Sequence, residues 1–140
     1  MGSDQANFDK DFIGVLGEIA ILDAMERAGM QPEGYTLLAD RPPDGPDFFL
    51  GFAIGFDAKS IPDGQSYLCV NEMQRQRLDA QNRTAYILPI IVAKDTASVY
   101  APIPFRQVAD WELRQGRSQY RSIPVSLLHP LARLEDLPQW

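Results

Sequence analysis

The chain has 140 residues, of which 45% are hydrophobic and 10% aromatic, and we expect one globular domain spanning residues 1–140. Its single cysteine and single histidine exclude an internal disulfide and a zinc site of these ligands, and the lack of a long apolar run or a targeting segment favours a cytoplasmic protein with no membrane span. The formal net charge of −6 argues against a general nucleic-acid-binding protein and would suit a protein partner.

The first half of the chain is predicted to contain a helix followed by three short strands. Apolar residues at helical spacing indicate a helix over residues 9–28 that ends at Gly29. Two glycines inside this helix, Gly14 and Gly17, weaken it and indicate that another chain segment or a ligand approaches closely there. The predicted strands are Tyr35–Ala39, Asp47–Leu50 and Ala53–Lys59, and the last two form a hairpin with a tight turn at Gly51.

The second half is predicted to alternate strands with two helices. Asn71 caps a polar helix that reaches Asn82, and the apolar strand Tyr86–Ala93 is the best candidate for the centre of a sheet. Pro89 within that strand predicts a bulge or a local end of pairing. The other predicted elements are a loop over Ile61–Ser66, an extended stretch Tyr67–Val70, a strand Ser98–Ala101, a helix Phe105–Arg114 that opens at Pro104 and closes at Gly116, and a mixed tail over residues 123–140. Helices that cross between strands favour a mixed sheet flanked on both faces.

Two carboxylates and a lysine are predicted to meet on the hairpin. Strand side chains alternate between faces, so Asp57 and Lys59 point to the same side of their strand. Asp47 begins the neighbouring strand, and the hairpin turn would bring it close to Asp57. Adjacent carboxylates repel each other, and Mg²⁺ or Mn²⁺, which prefer oxygen ligands, would relieve that repulsion. The Ala58 carbonyl and Glu18, in the middle of the first helix, could complete the ligand shell.

The acidic residues are concentrated in the half of the chain that holds this cluster. Residues 1–60 carry 11 acidic and 4 basic residues, a net charge of −7, whereas residues 61–140 carry 8 acidic and 9 basic residues, a net charge of +1. A bound dication would cancel part of the charge of the first half. Basic residues of the second half are candidates for contacts with DNA phosphates, first Arg75 and Arg77 on the polar helix, then Arg83, Arg114, Arg117 and Arg121.

The order of these residues resembles the PD-(D/E)xK nuclease superfamily. The helix around Gly17-Glu18 is similar to the first helix of that superfamily, and the run from Gly45 to Ser60 is similar to its metal-binding hairpin. A narrower resemblance, over about residues 9–125, is to the RecU-type Holliday-junction resolvases, and it is carried by Phe56-Asp57-Ala58-Lys59, Gln74, Trp111 and Arg121-Ser122-Ile123-Pro124. Those resolvases carry a long stalk insertion where this chain has only Leu38–Pro46.

The resemblance implies a restriction-endonuclease-like core, which is an α/β fold whose mixed central β-sheet is flanked by helices. It implies hydrolysis of DNA phosphodiester bonds that depends on Mg²⁺, with Mn²⁺ as a substitute, a preference for branched DNA, and a homodimer as one assembly. Asp47, Asp57 and the main chain of Ala58 then look like metal ligands, and Glu18 is similar to the helix-borne acid. Lys59 looks like the catalytic lysine, and Gln74 is similar to the active-site glutamine.

Two alternatives stay open at the level of sequence. Another nuclease of the same superfamily, of restriction, repair or phage type, would share these residues and differ in strand polarity and in its need for DNA ends. A non-catalytic protein-binding module would keep the fold without the chemistry, and the acidic surface and Trp140 would suit its partner. The presence of Asp47, Asp57 and Lys59 together favours the catalytic interpretation.

Overall fold

Two β-sheets and two α-helices make up the part of the chain that the structure describes. The structure, a computed structural model, describes residues 14, 16–17, 19–30, 32, 46–51, 54–94 and 96–138. Helix α1 covers residues 19–27, with residues 14, 16 and 17 also helical, and helix α2 covers Glu72–Gln81. The strands are β1 Phe48–Leu50, β2 Ile54–Pro62, β3 Tyr67–Asn71, β4 Tyr86–Val92, β5 Ala97–Val99, β6 Ile103–Pro104, β7 Glu112–Gln115 and β8 Gln119–Pro124. The predicted strand Tyr35–Ala39 lies outside the described residues, and no helix within them is long and apolar enough to cross a membrane.

The first sheet is mixed, as predicted. Strands β1 and β2 form an antiparallel hairpin in which Phe48 pairs with Phe56, and Gly51 occupies the turn with a φ of +55°, a conformation that glycine adopts without a steric penalty. Strand β2 then pairs with β4 in parallel, from Phe56 opposite Tyr86 to Pro62 opposite Val92. Strands β5 and β6 both pair with the far side of β4 in antiparallel register. The sheet prediction and the central position of β4 are therefore confirmed.

Pro89 lies inside β4 without interrupting the parallel ladder. It stands opposite Lys59 of β2, and its carbonyl accepts a hydrogen bond from the Tyr100 amide at 2.9 Å on the opposite edge of β4. Because the amide and carbonyl of one strand residue face the same edge, the missing N–H of Pro89 also faces that edge. There the partner changes from β6, opposite residues 86–87, to β5, opposite residues 90–92. The predicted local end of pairing is therefore present on one edge of the strand.

The two faces of the first sheet are covered by different layers. On one face, Phe56 stacks between Phe48 and Tyr86 with ring centroids 5.2 and 5.5 Å apart, and this cluster includes Ile21 and Met25 of α1. On the other face, apolar residues of β2 and β4 join a second cluster that holds α2 and the second sheet, with Ile61, Leu68, Val70, Leu78 and Ile87 among its buried members. Asp57 and Lys59 share the face of Ile61, because side chains two positions apart on a strand point the same way. The fold thus turns the predicted site residues toward the α2 layer.

The second sheet is antiparallel and has the order β3–β8–β7. Its ladders join Tyr67 to Pro124 and Asn71 to Tyr120 on one side of β8, and Glu112 to Ser122 on the other. The predicted extended stretch at Tyr67–Val70 is confirmed as β3, whereas β7 and β8 were not predicted. Strand β3 lies within the crossover from β2 to β4, so this sheet stands beside α2 and closes the layer that the site faces.

Two predicted elements were wrong in their extent or type. The predicted helix Phe105–Arg114 is a 3₁₀ helix over Phe105–Asp110, and the chain then enters β7. Its buried apolar residues, Phe105, Val108 and Trp111, recur at intervals of three, which is the period of a 3₁₀ helix and leaves no broader apolar stripe for an α-helix. The predicted loop Ile61–Ser66 begins later, because β2 continues to Pro62 with Ile61 buried in the core.

Candidate metal and catalytic site

Strand β2 places Asp57 and Lys59 side by side. The Phe56 side chain is fully buried on the face of the sheet that α1 covers. Because side chains alternate along a strand, Asp57 and Lys59 point to the opposite face, as predicted. The carboxylate of Asp57 lies 3.2 Å from the ammonium of Lys59. Asp57 is only 3% exposed, and burial of a carboxylate is costly unless a cation or a set of donors compensates its charge.

Asp47 lies against the same part of β2. Its amide donates a hydrogen bond to the Phe56 carbonyl at 2.8 Å, and its Oδ2 accepts one from the Ala58 amide at 2.7 Å. The Asp47 side chain therefore continues the β1–β2 ladder beyond the first residue of β1 and meets the backbone next to Asp57. Asp47 is 6% exposed, so the hairpin buries two carboxylates in one place.

Helix α2 contributes Gln74 to this group. The Asn71 side chain caps the helix, as predicted, by accepting a hydrogen bond from the Gln74 amide at 3.0 Å, which fixes the first turn. From that turn the Gln74 Oε1 accepts a hydrogen bond from the Lys59 ammonium at 3.1 Å. Lys59 thus bridges β2 and α2, with a carboxylate on one side and a neutral amide on the other.

Carboxylates outnumber ammonium groups among the residues named. Asp47 and Asp57 bring two negative charges and Lys59 brings one positive charge. The Asp57 Oδ2 is buried and accepts no hydrogen bond from the described residues. The Lys59 ammonium lies 3.2 Å from this oxygen and forms an ion pair with it. A buried carboxylate oxygen that accepts no hydrogen bond is suited to bind a cation. The described residues contain no group of three or more His, Cys, Asp or Glu residues that could hold a metal, and the predicted acid Glu18 lies outside them.

Helix α1 packs closely on β2 beside the site. Gly17 faces Ser60, the residue that follows Lys59, and a Cβ at Gly17 would collide with the Ser60 side chain. The predicted close approach of another segment is therefore confirmed at Gly17. At Gly14 a Cβ would meet nothing within 4 Å, so no close approach explains that glycine.

The structure assigns two of the predicted DNA contacts, Arg75 and Arg121, to a buried ion cluster. Both guanidinium groups bond to Glu72 at the start of α2, with closest distances of 2.7 Å from Arg75 and 2.9 Å from Arg121, and Arg121 also donates to the Trp111 carbonyl at 3.1 Å. These bonds hold the pKa of Glu72 far below its usual range and raise the pKa of Arg75. The cluster ties α2 to β8, which is a structural role.

Glu72 was not singled out from the sequence. Its spacing of three residues from Arg75 is a known helix pairing, so half of the cluster carried a local signal. Arg121 lies 49 positions away from Glu72, and nothing local in the sequence marks that pair. The distant partner became visible only with the second sheet.

The other candidate DNA contacts lie at the surface. Arg77 is exposed and its guanidinium meets the Met73 sulfur at 3.4 Å, and Arg83 is exposed with its guanidinium carbon 5.2 Å from the centroid of the Phe49 ring. Arg114 pairs with Glu112 at 3.1 Å and covers the ring of Tyr67. Arg117 is exposed in the turn between β7 and β8. Arg77 lies in the middle of α2, and Arg83 lies two residues after its end.

No protein-family model matches this chain, and no curated protein matches it.

Proposed function

We propose that this chain is a metal-dependent DNA endonuclease that hydrolyses phosphodiester bonds on a restriction-endonuclease-like core, in the manner of a Holliday-junction resolvase. One observation carries the proposal: Asp47 and Asp57 are both buried, the Asp47 carboxylate accepts a hydrogen bond from the Ala58 amide next to Asp57, and Asp57 pairs with a lysine that also donates to Gln74. Two buried carboxylates held on one hairpin offer the oxygen ligands that a dication prefers.

The donor set fits Mg²⁺, with Mn²⁺ as a substitute. Asp47 and Asp57 would hold the ion through carboxylate oxygens, and Glu18 is proposed as a further acid from the first helix. The Ala58 amide points toward Asp47, so its carbonyl faces the same edge of β2 and supports the Ala58 main chain as another ligand. When bound, Mg²⁺ supplies positive charge that polarises the scissile phosphate and acidifies the attacking water.

Lys59 is the proposed catalytic side chain of the protein itself. Its ammonium would donate hydrogen bonds to the phosphate oxygens, on which negative charge increases in the transition state. Asp57 and Gln74 restrict the long lysine side chain before the substrate arrives, which lowers the entropy lost on reaching the transition state. Gln74 acts through Lys59 and is therefore a positioning residue.

The proposed DNA contacts are now the exposed arginines, Arg77 and Arg83. Arg75 and Arg121 are excluded from the proposal, because a phosphate would have to compete with Glu72 for both guanidinium groups. Branched DNA stays the favoured substrate through the resemblance to the resolvases, with a homodimer as the proposed assembly. Contacts of this kind release counterions, so binding should weaken as salt concentration rises.

The test is a cleavage assay on a four-way junction, a linear duplex and single-stranded DNA, each with Mg²⁺, Mn²⁺ or EDTA. Asp57→Asn and Lys59→Ala are expected to lower the rate by about 100-fold or more, since each removes a charge that acts on the transition state. Asp63→Asn and Lys94→Ala, which alter exposed residues, are the matched controls and should cut at the wild-type rate.

The outcomes separate the alternatives. Metal-dependent cutting that both site variants lose would support the proposal, and the ranking of the three substrates would distinguish a resolvase from a restriction, repair or phage-type nuclease. A folded wild-type protein that cuts none of the substrates with either metal would overturn the catalytic assignment and favour the protein-binding module.

A further inference from the structure

A groove of about 470 Å³ adjoins the candidate site. Its walls are the second half of β2, from Lys59 to Pro62, and the start of β3, from Tyr67 to Cys69, and Gln65 and Ser66 close one end. This volume is within the range of about 300–1,000 Å³ that small-ligand pockets occupy. Since Lys59 lines the groove and also contacts Asp57 and Gln74, whatever occupies the groove reaches the site.

The chemistry of the groove wall favours an anion. The described residues that line it include one cation, Lys59, and no carboxylate, although the chain as a whole has a net charge of −6. Its polar side chains besides Lys59, those of Gln65 and Ser66, are neutral, and the Ser60 side chain faces Gly17 on the other side of β2. An acidic protein that keeps acidic side chains out of one groove presents there a surface on which a phosphate backbone meets little repulsion.

Tyr67 adds an aromatic surface to this groove. Along β3 the exposed Tyr67 and Cys69 alternate with the buried Leu68 and Val70, and Tyr67 and Cys69 both line the groove. Tyr67 is 38% exposed, and the Arg114 guanidinium carbon lies 4.8 Å from its ring centroid. Proteins that bind single-stranded nucleic acids use aromatic rings of this kind as stacking platforms. A base without a stacked neighbour has a free π-face that can lie on the ring.

We propose that the groove binds one unpaired strand of DNA, with a base stacked on Tyr67 and the neighbouring phosphate held at Lys59. This inference deepens the proposed function and rests on it for the role of Lys59. Bases within a duplex are covered by their neighbours on both faces, so a stacking platform discriminates against intact duplex. The preferred substrate then has a single-stranded segment beside the bond that is cut, as at a branch, a flap or a frayed end.

The test is a binding measurement in EDTA, where cutting does not interfere. Fluorescence anisotropy is followed for a labelled thymidine oligonucleotide of about 12 nucleotides and for a duplex of the same length. Tyr67→Ala is expected to weaken single-strand binding about tenfold, the usual loss for one stacked base, while Tyr67→Phe, which keeps the ring, binds as the wild type does. Tyr67→Leu, which removes the ring but keeps the bulk, should lose as much as Tyr67→Ala and covers the case in which alanine unfolds the protein.

The control is Leu113→Ala. Leu113 is 43% exposed and precedes Arg114 on β7, so it points to the other face of the same sheet. This variant should bind both oligonucleotides as the wild type does.

The inference fails if the wild type binds the single strand no more tightly than the duplex, or if the leucine variant at position 67 binds it as well as the wild type. Because no metal is present, this outcome is independent of the cleavage assay. Single-strand binding that depends on Tyr67, in a protein that cuts nothing, would keep the groove and overturn the nuclease. If the protein cuts DNA but binds the single strand equally well without Tyr67, the nuclease proposal is kept and the groove proposal is overturned.

Discussion

Lys59 is held from two sides by groups of different charge. Its ammonium lies 3.2 Å from the Asp57 carboxylate and 3.1 Å from the Gln74 carbonyl oxygen. A lysine side chain has about 2 kcal/mol of rotamer entropy to lose when it is fixed, so the two contacts determine how often the ammonium is in place. Asp57 has a second proposed role as a metal ligand, which leaves Gln74 as the partner whose effect on Lys59 can be measured by itself.

Replacement of Gln74 by alanine is expected to lower kcat about tenfold or more and to leave KM nearly unchanged, because a misplaced catalytic group costs rate at the chemical step. Gln74→Glu keeps an oxygen acceptor for Lys59 and should recover most of the rate. Gln81→Ala, at the exposed far end of α2, is the control. Steady-state kinetics on the best substrate measures all three, and a rise in KM at constant kcat would show instead that Gln74 binds substrate.

The residues of the site differ in how far the sequence could predict them. Asp57 and Lys59 follow from strand alternation alone, and Asp47 follows from the length of the hairpin. Gln74 was identified through resemblance, because a glutamine in a polar helix carries no signal of its own. The pair of Arg75 with Glu72 has a helical spacing of three residues, but it was not predicted.

At the level of elements, the Glu72 cluster fastens α2 to the second sheet. Glu72 is buried, and its carboxylate binds Arg75 within the helix and Arg121 on β8. Arg121 in turn donates to the Trp111 carbonyl, so it connects a third segment of the chain to this cluster. Removal of one partner from such a cluster leaves buried charge without compensation, which typically costs about 3–5 kcal/mol.

Glu72→Gln is therefore expected to lower the free energy of unfolding at pH 7 by about 3 kcal/mol. The arginines depress the pKa of Glu72 in the folded state, so the unfolded state takes up a proton first as the pH falls. The stabilisation is complete above the unfolded pKa of about 4.3 and declines as the pH drops below it toward the folded pKa. The difference between variant and wild type should accordingly shrink between pH 5 and pH 2 or so.

Urea unfolding at several pH values measures this difference. Asp23→Asn is the control, because the Asp23–Arg27 pair of α1 is largely exposed and should contribute about 0.5 kcal/mol or less. An equal loss in Glu72→Gln at pH 7 and at pH 3 would contradict the assignment to a charged carboxylate.

Elements with strong local signals were the ones that the sequence predicted. The hairpin has a glycine turn between apolar strands, and α2 has its Asn71 cap, and both are present. Strands β7 and β8 are mostly polar and partly exposed, so neither shows the alternation that marks a strand. Their pairing with β3 is a long-range contact, which local patterns cannot reveal.

For the whole molecule, the proposed metal site has a consequence for stability as well as for catalysis, because the chain carries an excess of acidic charge. A ligand that binds only the folded state stabilises it by about 2.7 kcal/mol at 100 times its Kd. Mg²⁺ is therefore expected to raise the Tm by several degrees, at about 3 °C per kcal/mol for a chain of this size. Asp57→Asn should abolish the increase caused by Mg²⁺.

Thermal unfolding of the wild type, Asp57→Asn and the exposed control Asp63→Asn, each in EDTA and in Mg²⁺, provides the measurement. The control should keep the full response to Mg²⁺. An equal response in Asp57→Asn would place the ion elsewhere on the acidic surface.

The prediction of a mixed sheet flanked by helices followed from the order of elements, whereas the second sheet, which buries the opposite side of the site, came from contacts across the whole chain.

The crossover from β2 to β4 also sets the order in which the molecule can assemble. Asp57, Lys59 and Gln74 all precede residue 75. The helix that carries Gln74 is anchored by Arg121, which comes much later in the chain. Strand β3 likewise pairs with a later strand, in which Pro124 lies 57 positions after Tyr67. Contacts between such distant residues form late and slowly. A chain emerging from the ribosome therefore carries the described residues of the candidate site long before it can hold them together, and that site is completed only when the second sheet forms.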